Sequence, residues 1–229
     1  MARPPFIFRF LQTLAIILLA LTITFTLLGG AGTTCVAFKA ENWESMAALV
    51  PVKPVFRVLV FVSLIAGIAG IFTTVRLAKG KKHAYLQSIL FLVIASLASA
   101  IQFYFSATLR GKTAPNNMRL YISILTLVYL LILRIPGIWQ RMPFNQPNRA
   151  SSGDLKAGGA ALCLSGLVTL TTPLWAAPTH MLDGANTANE LLLPLIITGF
   201  VLTLCGAYFI RSGSLVQSPS PELTSQTNQ

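Results

Sequence analysis

Apolar residues run along this chain in long uncharged blocks, and the charged residues gather in the stretches between them. Blocks of this kind lack the alternation of amphipathic elements. They read as membrane spans once they reach about 18–20 residues, enough helix to cross about 30 Å of hydrocarbon. Five blocks meet that length: 10–28, 58–75, 84–109, 157–182 and 191–210. A sixth, 120–133, is shorter and is followed by Arg134, Ile135, Pro136, Gly137, Ile138 and Trp139. It still reads as a span, because an arginine near a helix end extends its stem to place the guanidinium at the headgroups, and Trp139 suits the interfacial aromatic belt. The pattern predicts an all-α fold, a polytopic transmembrane helical bundle of six spans.

The connections divide the chain unevenly. Residues 1–139 form a four-span region with a long exterior loop at 29–54. In that loop Phe38, Trp43, Met46 and Leu49 partly follow helical spacing, which would suit a short helix lying at the membrane surface, and a packed cap over the spans is the simpler arrangement and the one expected. Residues 140–156, rich in Pro, Asn, Ser and Gly, read as a cytoplasmic linker, and 157–211 as a two-span hairpin. Residues 212–229 contain a Ser-Pro-Ser-Pro run and no aromatic residue, the composition of a disordered cytoplasmic tail. The first block exceeds the roughly 7–15 apolar residues of a signal peptide and is read as an uncleaved span. Gly32-Thr33-Thr34-Cys35 lacks the apolar residue that a lipoprotein site carries three places before its cysteine. Internal repeats are not evident, which argues against a transporter of duplicated halves.

Charge sets the orientation. Of 17 Lys and Arg, a cytoplasmic N-terminus places eleven inside: Arg3, Arg9, Arg76, Lys79, Lys81, Lys82, Arg134, Arg141, Arg149, Lys156 and Arg211. Six stay outside: Lys39, Lys53, Arg57, Arg110, Lys112 and Arg119. That bias follows the positive-inside rule, so both termini are expected in the cytoplasm and the cell (plasma or inner) membrane is the expected location. The composition, 54% hydrophobic and 10% charged, excludes an ordinary soluble domain. The net charge of +11 is scattered at span ends, which is how membrane proteins use cations and not how a nucleic-acid surface is built.

Few residues offer chemistry. Asp, Glu, Lys and His are absent from the six blocks away from their ends, so a proton-coupled pump is disfavoured. Gln102, with Ser99, Tyr104 and Ser106 nearby, is the most polar side chain in a span. It is a candidate to bind a quinone carbonyl or line a pore, with a plain hydrogen bond to a neighbouring helix as the simpler role. His180 is the other cofactor-binding candidate, and His180 with Asp183 the candidate metal pair. One histidine and one aspartate fall short of the three or four ligands a metal needs, and Asp183-Gly184 is also an ordinary turn. A bis-histidine haem would need His83 and His180 at one depth, yet the topology puts them on opposite sides. Cys35, Cys163 and Cys205 form no C-x-x-C, and buried packing suits Cys163 and Cys205. Phosphate-loop, zinc-protease and nucleophile-elbow motifs are missing from the sequence. The cofactor, if any, is therefore unknown.

Small residues four apart, Ser63 and Gly67, Ala66 and Gly70, Ala95 and Ser99, suit close helix packing within the chain or against membrane-protein partners. The expected partners are thus the lipid bilayer and other membrane proteins, and not nucleic acid. The reading that results is a non-catalytic accessory, assembly or scaffolding component. A hydroxyl-lined small-molecule or lipid transporter is the alternative, and a quinone- or cofactor-binding electron-transfer subunit the second alternative.

Overall fold

The computed structural model describes residues 5–111, 116–142, 144, 152–176, 181–182, 185–186, 189 and 191–215. Six of its helices are long and apolar enough to cross a membrane. The first, α1 (Phe6–Lys39), has 34 residues, about 51 Å at 1.5 Å per residue, and so outlasts a bilayer core of about 30 Å. Its far end and the two 3-10 segments Ala40–Asn42 and Glu44–Val52 form a cap, in which Trp43, Met46 and Leu49 pack against Cys35, Val36, Phe56 and Val60. Much of the expected loop 29–54 is therefore helix or 3-10 turn, and the cap is packed instead of lying flat.

Helix α2 (Lys53–Ala78) starts with a proline in its first turn, where a missing N–H costs nothing, and returns to the opposite end. A tight turn with Gly80 and His83 in the left-handed region leads into α3 (Ala84–Arg110). Helix α4 (Asn116–Leu133) begins four residues before the expected block. It does not run on to Trp139. The chain tightens at Arg134 and Ile135, whose N–H groups bond Leu131 and Ile132 three residues back, and a separate turn, α5 (Pro136–Trp139), follows. Proline at 136 forces this, since the residue before proline avoids the helical region.

Helix α6 (Ser152–Ala176) and α7 (Leu192–Leu215) make the most extensive helix pair in the molecule. Helix α6 takes in Asp154 and Lys156, which the sequence reading gave to the linker. Between them a two-residue antiparallel ladder, β1 (Met181–Leu182) with β2 (Ala185–Asn186), is the one paired-strand element among the described residues. Helix α1 is central, touching α2, α4, α6 and α7. One core cluster joins Ile16, Leu19 and Ile23 of α1 to Phe91 and Leu92 of α3, Leu130 of α4, Leu155 and Leu162 of α6, and Phe209 of α7.

The faces follow the logic of lipid as solvent. On α2 the exposed stripe is bulky, Val58, Phe61, Ile65, Ile68 and Phe72, whereas Ser63, Ala66, Gly67, Gly70 and Thr74 face inward. Hydrocarbon offers no drive to hide large apolar groups, so close contact among small ones holds the helices. A Cβ on Gly67 would fall 2.5 Å from Leu27, and one on Gly70 2.8 Å from Phe91. The small-residue stripes noted in the sequence are thus occupied within the chain.

Candidate functional site

The most polar place in the bundle is built from four helices. The inward stripe of α4 is Arg119, Ser123, Thr126, Leu130 and Leu133, spaced alternately four and three apart. That of α3 is Ser88, Leu92, Ala95, Ser99, Gln102 and Ser106, with the same alternation. This spacing of 3.5 keeps one seam of each helix against its neighbours. Arg119 falls on the seam and is only 2% exposed.

Its guanidinium is held by neutral oxygens. Nη1 donates to Gln102 Oε1 at 2.9 Å and Nη2 to Ser63 Oγ at 2.7 Å. The Ser63 hydroxyl itself donates back to the Leu59 carbonyl at 2.6 Å, so its proton is committed and its lone pairs are available to the arginine. Gly29 of α1 makes the space: a Cβ there would lie 2.7 Å from Arg119 Cδ. Beside it, a Cβ on Gly30 would lie 3.2 Å from that of Ser63, which brings α1 and α2 close at the same level. Asn116 Nδ2 donates to Ser106 Oγ at 2.9 Å one turn nearer the cap, and Thr22 and Thr126 share a 2.9 Å bond further along.

Among the described residues no carboxylate lies against Arg119, and Arg119 Nε and Gln102 Nε2 have no hydrogen-bond partner. Gln102 sits eight residues inside Arg110 and Ser63 ten residues inside Lys53, about 12 and 15 Å from those helix ends. An arginine at the centre of a membrane helix costs about 3 kcal/mol on insertion scales. Two hydrogen bonds from a charged group return about 1.5–3 kcal/mol each, enough to hold it without a counter-charge. The expectation that Arg119 stays outside the spans is therefore corrected. Helix α4 starts at Asn116, and the arginine points into the seam.

The remaining candidates separate. Gln102 is buried as the partner of Arg119, Tyr104 is exposed, and Ser99 bonds its own helix at Ala95. His180 and Asp183 lie outside the described residues. Among those described, no group of three or more His, Cys, Asp or Glu is placed to hold a metal. Cys163 Sγ contacts the Thr203 carbonyl at 3.5 Å and abuts Gly206, a packing role. Thr169 is buried and bonds Ser165, while Thr171 and Thr172 bond back to their own helix. Two surface cavities, one at the α2–α3 turn and one along the α2–α3 groove, are lined by none of these threonines nor by Gln102.

Two polar contacts were missed in the sequence. Asp154 is buried and accepts a 2.5 Å bond from Thr13, tying α6 to the first turns of α1. Arg119 carried a signal: the run Asn116-Asn117 suits a helix start, and the four-three alternation extends back through it. The chain matches no family model, no curated protein and no solved structure. Fold and site together define a multi-helix integral membrane protein with an arginine locked into its interior.

Proposed function

We propose that this protein is a non-catalytic accessory or scaffolding component of a membrane complex, acting through its outer helix faces and its cap. The observation that supports this is the state of the interior. Its most polar cluster is filled by the chain's own Arg119, Gln102 and Ser63, with Gly29 giving way to the arginine. A cluster closed in this way joins α1, α2, α3 and α4 at one level and leaves the bulky outward stripes to meet lipid or protein. The cap is proposed to face the exterior and both termini the cytoplasm of a cell membrane, on the charge bias of the sequence.

Among the described residues no carboxylate stands beside Arg119, which favours one second reading, a carrier that brings a small anion to that guanidinium. The electron-transfer reading has less support, because the Gln102 amide nitrogen, the donor a quinone carbonyl would need, is buried in the bundle and lines neither surface cavity. Purification of the full chain in a mild detergent, with native mass and a visible spectrum, tests the proposal. The expected outcome is a heteromeric assembly of fixed stoichiometry without visible absorbance. A bare monomer carrying a pigment, or anion uptake into proteoliposomes that Arg119→Gln abolishes, would overturn it.

A further inference from the structure

At the end opposite the cap, where α2 stops, α3 starts and α4 breaks, the surface opens into a cavity of about 540 Å³. Its polar lining is Lys81, Lys82, His83 and Arg134, and none of the described residues lining it is acidic. Leu77 and Leu86 line it as well, so cations and hydrocarbon meet in one concavity at the ends of three spans. Arg134 is fixed by aromatic faces, with its guanidinium carbon 4.5 Å from the Trp139 ring centre and 5.7 Å from that of Tyr85. Those two rings stand edge to face with centroids 4.6 Å apart. Tyr85 is anchored in turn, because its hydroxyl donates at 2.5 Å to the Leu130 carbonyl near the α4 terminus. Stacking on aromatic faces leaves the edge of a guanidinium, with its fork of N–H donors, open to an oxyanion.

The backbone adds to the same field. His83, which lines the cavity, caps α3 in the left-handed conformation, φ 64°, so the positive end of a 27-residue helix stands at the cavity wall. Lys81 and Lys82 are exposed on the turn and line the same cavity.

We propose that this cavity binds a phosphate-bearing anion, supplied by the headgroup of an anionic phospholipid. The phosphate meets Arg134, Lys81 and Lys82, and the glycerol backbone and upper acyl chain lie along Leu77 and Leu86. A soluble phosphate offers the same charge but leaves the leucines uncovered, so the walls select the lipid.

The test uses the full-length protein in nanodiscs of phosphatidylcholine alone or with one-fifth phosphatidylglycerol, reading lipid retained after detergent extraction by native mass spectrometry. Phosphatidylglycerol is expected to be retained at least fivefold over its share of the bilayer. Lys81→Gln/Lys82→Gln, at exposed positions, should remove most of that enrichment, and Arg134→Lys, which keeps the charge but loses the planar fork, should reduce it about threefold. Thermal stability in detergent with 5 mM inorganic phosphate separates the sources. No shift with phosphate supports the lipid, and a shift equal to that of short-chain phosphatidylglycerol overturns the lipid as source. Retention that is equal for both lipids, or unchanged in the Lys81→Gln/Lys82→Gln protein, overturns the site itself.

Discussion

Gly29 and Arg119 fix one another's position across the α1–α4 contact, and the pair makes the buried cation open to test. Gly29→Ala puts a methyl 2.7 Å from Arg119 Cδ, and overpacking of this kind costs about 1–3 kcal/mol. In an Arg119→Ala background the same change should cost nothing, or gain the roughly 0.5–1 kcal/mol that alanine has over glycine inside a helix. A double-mutant cycle of unfolding in bicelles measures this, and additive effects would contradict the packing described. Arg119→Met should be milder than Arg119→Ala, within about 1.5 kcal/mol of the native chain. It fills the slot and orphans only neutral groups, whereas a broken ion pair would strand a charge. Ser63 keeps its bond to Leu59, so only the Gln102 amide is left without its partner. This arginine was hard to read from the sequence because a length criterion treats any charge as the end of a span. It was legible in principle, since the inward seam of α4 runs on through residue 119 without a break.

At the level of elements, the α6–α7 hairpin is held by four glycines that face in pairs. A Cβ on Gly159 would lie 2.6 Å from the Gly206 carbonyl, and one on Gly166 2.7 Å from the Gly199 carbonyl. These neighbours are backbone, which cannot move aside as a side chain can. The pairs are seven residues apart on each helix, two turns, so the two backbones stay in contact along a shared seam. Gly159→Val or Gly206→Val should therefore separate the helices and lower stability by at least about 2 kcal/mol. Gly32→Ala on α1, where a Cβ meets nothing within 4 Å, should instead be neutral or slightly stabilising. Thermal unfolding of the three variants in one detergent checks the order, and equal losses would refute the seam. Five of the six long helices were evident from block length, since hydrocarbon thickness imposes it, and α4 fell short of it because Arg119 bounds its uncharged block. The helix ends were not evident. Helix α1 runs eleven residues past its block because the small and apolar residues before Lys39, Cys35, Val36 and Ala37 among them, pack against the cap, and α4 stops at Leu133 because Pro136 forbids continuation. The glycine pairs repeat at seven residues, two helical turns, so a four-residue spacing of small residues does not display them.

On the scale of the whole molecule, the two ends treat their cations differently. At the cap, Lys53 pairs with Glu41 and reaches the Phe38 carbonyl at 3.4 Å, Arg57 donates to the Ala37 carbonyl at 3.1 Å, and Arg110 to that of Ser45 at 3.2 Å. Two of these acceptors end α1, where the helix dipole is negative, so the cap neutralises the cations that remain at its end. Arg119 is withdrawn into the bundle, which among the described residues leaves four basic residues at the cap end against nine opposite. Orientation is decided during insertion, when side chains are counted before they find partners, and at that stage the margin is eleven to six. Reporter fusions after Lys82 and after Arg149 should accordingly report the cytoplasm, and a fusion after Lys112 the exterior. Because three of the eleven sit together in the α2–α3 turn, Lys79→Gln/Lys81→Gln/Lys82→Gln reduces the margin to eight against six. That triple variant should give a mixture of orientations, seen as reporter signal on both sides after Lys82. Retention of a single orientation would mean that the capped α1–α2 pair, and not the basic turn, directs how the chain enters the membrane.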